Sequence, residues 1–281
     1  MRQSPFDCKR AKKPNIQYML KYVLCQWFID KQEFYSRFFN VSCNIRERYS
    51  IYMLTKSQEK LIRSLHSKKG RFESGCCLVE GKKIINMAGS AITFTFSRKN
   101  TKNFDQLVTT ETPQEEAAVA HIPQWTTNDI EKSQTIIILD GVQDPGNVGS
   151  ILRLCLGFGA SLILIECADP SSPKVVRSSV GAFFKTPWIQ LKRTDVTHFL
   201  THIDRPTYRL EKKKNAIILD HASVKKLEKD TCIIAGSEGV GITLDIPGTS
   251  IQIPHNPLLE SLNVAHALAI ILYEKTTVVG G

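Results

Sequence analysis

The sequence lacks the long apolar run that a membrane-spanning helix requires. Such a helix needs about 20 apolar residues in succession, and the longest candidate, residues 16–29, is interrupted by Lys21. The chain of 281 residues is nevertheless 42% hydrophobic, which is enough for a buried core. The composition therefore predicts a folded protein that does not cross a membrane, with two modest domains or one domain and an extension.

The sequence also lacks closely paired cysteines. None of the eight cysteines forms a C-x-x-C pair, so the spacing supports neither a zinc site nor a thioredoxin-like redox site. No other ligand set suggests a metal, and we predict a protein without one. Several cysteines lie within apolar runs, where a free thiol behaves as a small hydrophobic group. A reducing intracellular compartment is the simplest explanation.

Negative charge is scarce in the first half of the chain. Residues 1–50 contain 10 Lys and Arg against 4 Asp and Glu, a net charge of +6, and residues 51–128 contain 11 against 7, a net charge of +4. Residues 129–281 contain 16 of each and are neutral. An excess of cations on one part of a chain favours a polyanion such as RNA as partner. A basic targeting segment and a solvated surface are the alternative.

Residues 1–48 are predicted to be a basic N-terminal extension. Organelle presequences are basic and poor in acids, which suggests a mitochondrial or chloroplast presequence. Four acidic residues and many aromatic ones weaken that match, and an ordinary extension of a cytoplasmic protein stays open.

Residues 49–125 are predicted to form a small α/β substrate-binding domain. Apolar residues between 52 and 65 follow helical spacing, and residues 68–71 are predicted to be a basic loop. Residues 76–80 and 92–96 have strand patterns. A polar linker at 124–134 follows.

From residue 135 onwards, candidate strands alternate with candidate helices. The predicted strands are 135–139, 161–165, 216–219, 231–235 and 251–253, and the predicted helices are 149–157, 174–179 and 261–273. This alternation predicts an α/β domain with a parallel sheet over residues 133–277, with ligands at the carboxyl ends of its strands.

The first of three notable loops follows the strand at 135–139. Its sequence DPGNVG, residues 144–149, is preceded by Gly141, and the G-x-x-x-x-G spacing resembles a phosphate-binding loop. Asn147 stands where that loop requires lysine, which disfavours nucleotide hydrolysis. Arg153 is the only charge between Gly146 and Ile165. It either lies on an exposed helix stripe or faces a polar or anionic ligand.

Two further loops share this ambiguity. The sequence GSEGVG, residues 236–241, follows a predicted strand and contains one charge, Glu238. Its glycines indicate either a plain turn or close backbone approach to a ligand. In ESLNV, residues 260–264, we expect Ser261 to cap the next helix. Asn263 would then need backbone groups or a ligand as partners.

Together, in this order, the three segments resemble the motifs of the SpoU (TrmH-type) branch of the SPOUT RNA methyltransferases. The first motif resembles residues 144–149 with Arg153 and Gly159, the second residues 236–241, and the third Ile253-Pro254 with residues 260–265. The resemblance covers about residues 133–275. A looser resemblance to the family's small substrate-binding domain depends on Arg71, Glu80-Gly81 and Pro113.

The resemblance implies a C-terminal trefoil knot, a homodimer whose active site uses both subunits, and transfer of a methyl group from S-adenosylmethionine to a ribose 2′-hydroxyl of rRNA or tRNA. It implies Arg153 as the residue at the reacting hydroxyl. The other expected catalytic or site-organising residues are Asn147, Glu238, Ser261 and Asn263. The expected cofactor-binding residues are Gly236, Ile253 and Leu262, together with Gly239 and Gly241.

Three positions depart from the family pattern. His255 and Pro257 stand where Met and Gly are usual, and His266 replaces a small residue. Proline removes a backbone donor, which puts one cofactor contact in doubt. The rival hypothesis is therefore a non-catalytic RNA-binding or assembly protein that retains the fold.

Overall fold

The computed structural model describes residues 53–224 and 227–279, with the side chains of residue 221 and residues 277–279 excepted. The predicted extension at 1–48 lies outside the described residues. Across the described part of the chain, no helix has both the length and the apolar character needed to cross a bilayer.

The first part of the described chain forms a small antiparallel sheet with short helices. Its strands are β1 (Cys76–Glu80), β2 (Ile92–Ser97) and β3 (Glu116–His121), in the order β1-β3-β2. Its helices are α1 (Lys56–Ser64), α2 (Lys68–Ser74), α3 (Lys82–Ala88) and α4 (Phe104–Leu107). The strand predictions at 76–80 and 92–96 are confirmed, whereas β3 was not predicted.

Two segments predicted to be irregular are helical. The basic loop predicted at 68–71 is part of α2, which begins because the Ser67 hydroxyl accepts a hydrogen bond from the Gly70 amide at 3.0 Å. Gly75 ends this helix with a φ of 63°. The linker predicted at 124–134 contains α5 (Thr127–Glu131), which Thr126 and Asp129 cap reciprocally. In both segments a local cap outweighs the polar composition.

The second part forms a seven-stranded sheet in which neighbouring strands pair in parallel. Its order is β6-β5-β4-β9-β7-β10-β8. The strands are β4 (Thr135–Asp140), β5 (Ser161–Ile165), β6 (Trp188–Gln190), β7 (Thr207–Leu210), β8 (Ile217–Ile218), β9 (Thr231–Gly236) and β10 (Thr249–Gln252). The predicted α/β fold with a parallel sheet is confirmed.

Helices cover the faces of this sheet. They are α6 (Pro145–Phe158), α7 (Pro173–Ser178), α8 (Arg193–Ile203), α9 (His221–Val224) and α10 (Val264–Val279). Strands β4 and β5 are buried along their whole length, as continuous apolar runs in parallel sheets usually are. Helices α8 and α3 and strands β6 and β7 were not predicted from the sequence.

Helix α6 begins four residues before the predicted start. The Asp144 carboxylate accepts a hydrogen bond from the Asn147 amide at 2.8 Å, and Pro145 occupies the first helical position. Proline is favoured there because its φ is already helical. Asn147 therefore lies in the first turn of α6, on the edge of the sheet where β4 ends. Gly149 allows α6 to pack closely on α7, because a Cβ at this position would overlap Ser178.

Helix α10 begins three residues after the predicted start. Ser261 was expected to cap it, and this prediction is wrong. The cap is Asn263, whose Oδ1 accepts hydrogen bonds from the amides of Ala265 at 3.0 Å and His266 at 3.3 Å. An amide oxygen caps a helix as well as a hydroxyl does.

Candidate active site

Three side chains predicted as site residues form one hydrogen-bonded cluster. The Asn147 Nδ2 donates to Glu238 Oε1 at 2.5 Å. The Asn263 Nδ2 donates to Asn147 Oδ1 at 2.9 Å and lies 3.4 Å from Glu238 Oε1. These residues are 91 and 116 positions apart in sequence. The first turn of α6, the loop after β9 and the start of α10 therefore meet at one point.

Glu238 gives this cluster its charge. Its side chain is exposed, and both amide groups donate to the same carboxylate oxygen. Because charge-assisted hydrogen bonds are stronger than neutral ones, the carboxylate orients both amides. The Glu238 carboxylate is also a negatively charged group beside the cavity that the loop after β9 lines.

That cavity has a volume of about 340 Å³, which lies within the range of small-molecule sites. Four of the five predicted cofactor residues line it, together with Glu238 and Ser261; the four are Gly236, Gly241, Ile253 and Leu262. Gly239 does not appear in the lining, and a Cβ there would meet open space.

Two of these glycines are required by the backbone. A Cβ at Gly236 would overlap the main chain of Gly241, where the loop closes through a hydrogen bond from the Gly241 amide to the Ser237 carbonyl at 2.8 Å. Gly241 has a φ of 75°, which favours glycine. The loop is therefore a tight turn, and it also forms a wall of the cavity.

Asp140, which was not predicted as a site residue, holds the loop after β9 through hydrogen bonds to its backbone. It lies at the carboxyl end of β4 and is 1% exposed. Its Oδ2 accepts hydrogen bonds from the amides of Thr243 at 2.6 Å and Leu244 at 2.8 Å, and its Oδ1 lies 2.8 Å from Arg193 Nη2. Burial alone would raise the pKa of Asp140, but these donors hold it below its usual value.

Arg193 links this buried carboxylate to the surface. It also binds the exposed Glu166 at 2.6 Å, and the two carboxylates raise the pKa of Arg193 above its usual value. A lone buried aspartate in an apolar strand was the available signal for Asp140. Its partners come from segments 53 and 103 positions away, so spacing did not reveal them.

Arg153 lies apart from the first cavity. It is exposed and lines a second cavity of about 470 Å³, which Asn147, Asn263 and His266 also line. Within the described part of the chain it has no ion pair or hydrogen bond. Ser150 and Gly157 of the same helix, α6, also line this cavity.

The start of α10 separates the two cavities. Val264 and Ala267 face the first, whereas Ala265, His266 and Ala269 face the second. The Asn147–Asn263 pair stands at the boundary. Within one chain, therefore, the guanidinium and the glycine-rich loop lie on opposite sides of one helix terminus.

One of the unusual histidines, His255, has a local side-chain partner. His255 Nδ1 lies 2.8 Å from the Ile253 carbonyl, so this nitrogen carries the proton and donates it to the oxygen. His255 thus engages a predicted cofactor residue while lining the first cavity. No group of His, Cys, Asp and Glu side chains in the described ranges could hold a metal ion.

Comparisons with known proteins agree with this architecture. The model of the SpoU rRNA Methylase family matches residues 134–273. A Synechocystis protein named as an uncharacterized tRNA/rRNA methyltransferase is 28% identical over 80% of this chain and 93% of its own length. The 23S rRNA (guanosine(2553)-2′-O)-methyltransferase RlmP of Bacillus subtilis is 25% identical over 75% of this chain and 92% of its own length.

A solved structure has the same fold. The AdoMet-bound rRNA methyltransferase from Sinorhizobium meliloti aligns with a TM-score of 0.70 and 24% identity, over 81% of this chain and 97% of that chain. Residues 134–273, which the family model matches, include the first turn of α6, the loop after β9 and the start of α10, which form the cluster. This chain therefore belongs to the SpoU methylase family.

Proposed function

We propose that this protein is an S-adenosylmethionine-dependent RNA methyltransferase that modifies a ribose 2′-hydroxyl of rRNA or tRNA. The observation that carries the proposal is the 340 Å³ cavity bounded by the Gly236–Gly241 turn and bordered by the Asn147, Glu238 and Asn263 cluster. The Bacillus relative is a 2′-O-methyltransferase of rRNA, and the Sinorhizobium protein binds AdoMet.

The first cavity has the chemistry that this cofactor needs. Apolar side chains such as Leu210 and Ile251 line it and suit an adenine ring, while backbone groups near Gly236, Ile253 and Leu262 suit its polar edge. Glu238 supplies negative charge for a cationic ligand. S-adenosylmethionine would supply an electrophilic methyl group on a positively charged sulfur.

Arg153 acts on the other reactant. The ribose hydroxyl is a weak nucleophile that must lose its proton as the new O–C bond forms. The methyl–sulfur bond of the donor would break in the same step and leave a neutral thioether. A guanidinium stays protonated in proteins, so Arg153 orients the hydroxyl and an adjoining RNA phosphate, and that phosphate takes the proton. Asn147 positions the ribose. The loops of the site are held in position by Glu238, Ser261 and Asn263.

A homodimer would reunite the two cavities. Arg153 lies on a face of α6 and α10 with three exposed apolar side chains: Leu156 (40%), Ile270 (39%) and Tyr273 (59%). Pairing this face with a second copy would cover them and bring Arg153 of one copy towards the first cavity of the other. The same proposal includes a trefoil knot near the C-terminus of the chain, as the family resemblance implies.

RNA affinity would come mainly from the first half of the chain, where the excess positive charge lies. We assign residues 49–125 to substrate binding and residues 133–277 to catalysis. The protein would act inside the cell, in the cytoplasm or, where residues 1–48 are a presequence, in a mitochondrion or chloroplast. Fractionation of cells expressing a tagged full-length chain measures this directly.

Replacement of Arg153 tests the proposal. Arg153→Ala should lower transfer of labelled methyl groups to RNA, taken from cells that lack the protein, by about 10²–10⁴-fold, while calorimetry shows unchanged cofactor binding. Lys185→Ala removes another exposed cation and should leave transfer intact. Wild-type protein that binds cofactor and RNA without transfer would instead support the non-catalytic assembly hypothesis.

A further inference from the structure

An aromatic side chain on α2 is almost fully exposed. Phe72 is 88% exposed, whereas the other phenylalanines of the small antiparallel sheet and its helices pack inwards; Phe96 and Phe104, for example, are each 1% exposed. A phenylalanine at the surface gains nothing from burial. Its ring is free to stack on a planar group from another molecule.

The helix surrounds this ring with positive charge. At 100° per residue, Lys68 and Lys69 lie on the same face of α2 as Phe72, and both are exposed. Lys69 is 3.8 Å from Glu73, but the side chains are 84% and 61% exposed, so water screens the pair. Ammonium groups beside an exposed ring match a nucleic acid strand, in which phosphates alternate with bases.

Another face of α2 is anchored to the loop that follows β5 of the seven-stranded sheet. Arg71 is 4% exposed, and its Nη2 lies 2.5 Å from Asp169 Oδ2. Its Nη1 donates to the Leu65 carbonyl at 2.8 Å, and its Nε lies 3.3 Å from Ser171 Oγ. A buried arginine with this many partners holds α2 in one orientation.

The anchor lies on the edge of the sheet that carries the candidate active site. Asp169 follows β5, and the neighbouring Ala168 amide donates to the Val142 carbonyl at 2.9 Å. Val142 belongs to the loop between β4 and α6. The segment that grips Arg71 is therefore hydrogen-bonded to the loop that leads to Asn147, and Phe72 is held rigidly relative to the site.

We propose that Phe72 is a base-stacking residue for single-stranded RNA, with Lys68 and Lys69 binding the adjoining phosphates. The bases of a duplex are already stacked and cover one another, so the ring requires an unpaired base, as in a loop, bulge or strand end. The proposal depends on the proposed function. The stacking role narrows the substrate to RNA that has an unpaired base at a fixed distance from the target ribose.

Binding of a fluorescein-labelled 12-nucleotide mixed-sequence RNA, measured by anisotropy, tests the proposal. Phe72→Ala should weaken binding about tenfold, the effect of losing one base stack. Phe72→Tyr should bind as wild type does, whereas Phe72→Leu, which keeps an apolar side chain without a π face, should bind as weakly as alanine. Ile218→Ala, a 51% exposed residue on the outer strand β8, is the matched control.

Two further measurements separate this proposal from the proposed function. Phe72→Ala should bind S-adenosylmethionine normally, and its KM for cellular RNA should rise about tenfold with little change in kcat. If RNA binding and the KM for RNA are unchanged in Phe72→Ala, the stacking role is overturned and the methyltransferase proposal still stands. That result would assign the exposed ring to a protein partner. Absence of methyl transfer by the wild-type protein would count against the enzyme and not against stacking.

Discussion

At the scale of single residues, Asn263 performs two tasks with one amide. Its oxygen accepts hydrogen bonds from the first amides of α10, and its nitrogen donates to Asn147 and Glu238. Because Oδ1 caps α10, the Asn263 side chain is held in one rotamer. In that rotamer its Nδ2 points towards Asn147 and Glu238. From the sequence, backbone groups and a ligand are alternative partners for Asn263. In the structure, backbone amides bind its oxygen, and the side chains of Asn147 and Glu238 bind its nitrogen.

Replacement of Asn263 separates the two tasks. In Asn263→Asp a carboxylate oxygen still caps α10, but no donor remains for Asn147 and a second negative charge faces Glu238. We expect thermal stability within a few degrees of wild type and a loss of methyl transfer of about 100-fold or more. Asn263→Ala should lose activity and also about 1 kcal/mol of stability with the cap. Normal activity in Asn263→Asp would contradict the role of the donor.

At the scale of elements, the loop after β9 depends on a buried carboxylate in the neighbouring strand. Asp140 binds the amides of Thr243 and Leu244, and the Ser237 amide donates to the Asp140 carbonyl at 3.1 Å. The loop is thus tied to β4 at both ends. A turn with three glycines would otherwise have many conformations, so Asp140 preorganises the first cavity.

Replacement of Asp140 tests this support. Asp140→Asn leaves a buried amide facing several donors, which should cost about 1–3 kcal/mol of unfolding free energy and weaken cofactor binding. Glu166→Gln removes the other carboxylate that binds Arg193, but this one is 61% exposed and should cost less than about 1 kcal/mol.

The stability of Asp140→Asn relative to wild type should depend on pH. Because the folded protein lowers the pKa of Asp140, the charged form stabilises the wild type above the unfolded pKa of about 3.9. That contribution disappears as pH falls through the lower folded value. In urea unfolding, the difference between wild type and Asp140→Asn should be constant near neutral pH and shrink below about pH 4. A difference that grows in acid would contradict the assignment.

At the scale of the whole molecule, charge and chemistry are divided between two parts of the chain. The positive excess lies before residue 129, whereas the neutral remainder contains both cavities. Two buried groups join the small sheet to the large one. Arg71 binds Asp169, and Glu80 binds Arg177 on α7. An RNA held by the first part would therefore be presented to the second in a set orientation.

Mixing two inactive variants tests whether the active site is shared between copies. Arg153→Ala lacks the guanidinium, and Gly236→Ala should distort the first cavity because its methyl group overlaps Gly241. When equal amounts are unfolded and refolded together, half the dimers are mixed and each has one intact composite site, so activity should return to about a quarter of wild type.

The control for this experiment is Gly239→Ala, because a Cβ at Gly239 meets open space. This variant should bind cofactor and be active alone. A mixture of Arg153→Ala and Gly236→Ala that stays inactive, although both variants form dimers, would show that each site is complete within one chain.

Several features were predictable because their causes are local. The apolar runs of β4, β5 and β9 predicted a buried parallel sheet, and the placement of Asn147 and Glu238 directly after strands predicted that they would lie on one edge of it. Helix α2 was missed because its cap, Ser67, and its end, Gly75, occupy single positions that a basic composition obscures. Strand β3, with its small alanines, has no strong strand pattern.

The sequence by itself determined the kind of fold, the family and the set of polar residues near the site. Buried strands and the three motifs can each be recognised from short stretches of neighbouring residues. Only the tertiary structure decided which groups meet. In the folded chain, Asn263 donates to Asn147, and Asp140 accepts a hydrogen bond from the Thr243 amide. Arg71 forms an ion pair with Asp169. The start of α10 separates Arg153 from the first cavity. These contacts join segments up to 116 positions apart, and packing of the whole chain, rather than any local pattern, brings such segments together.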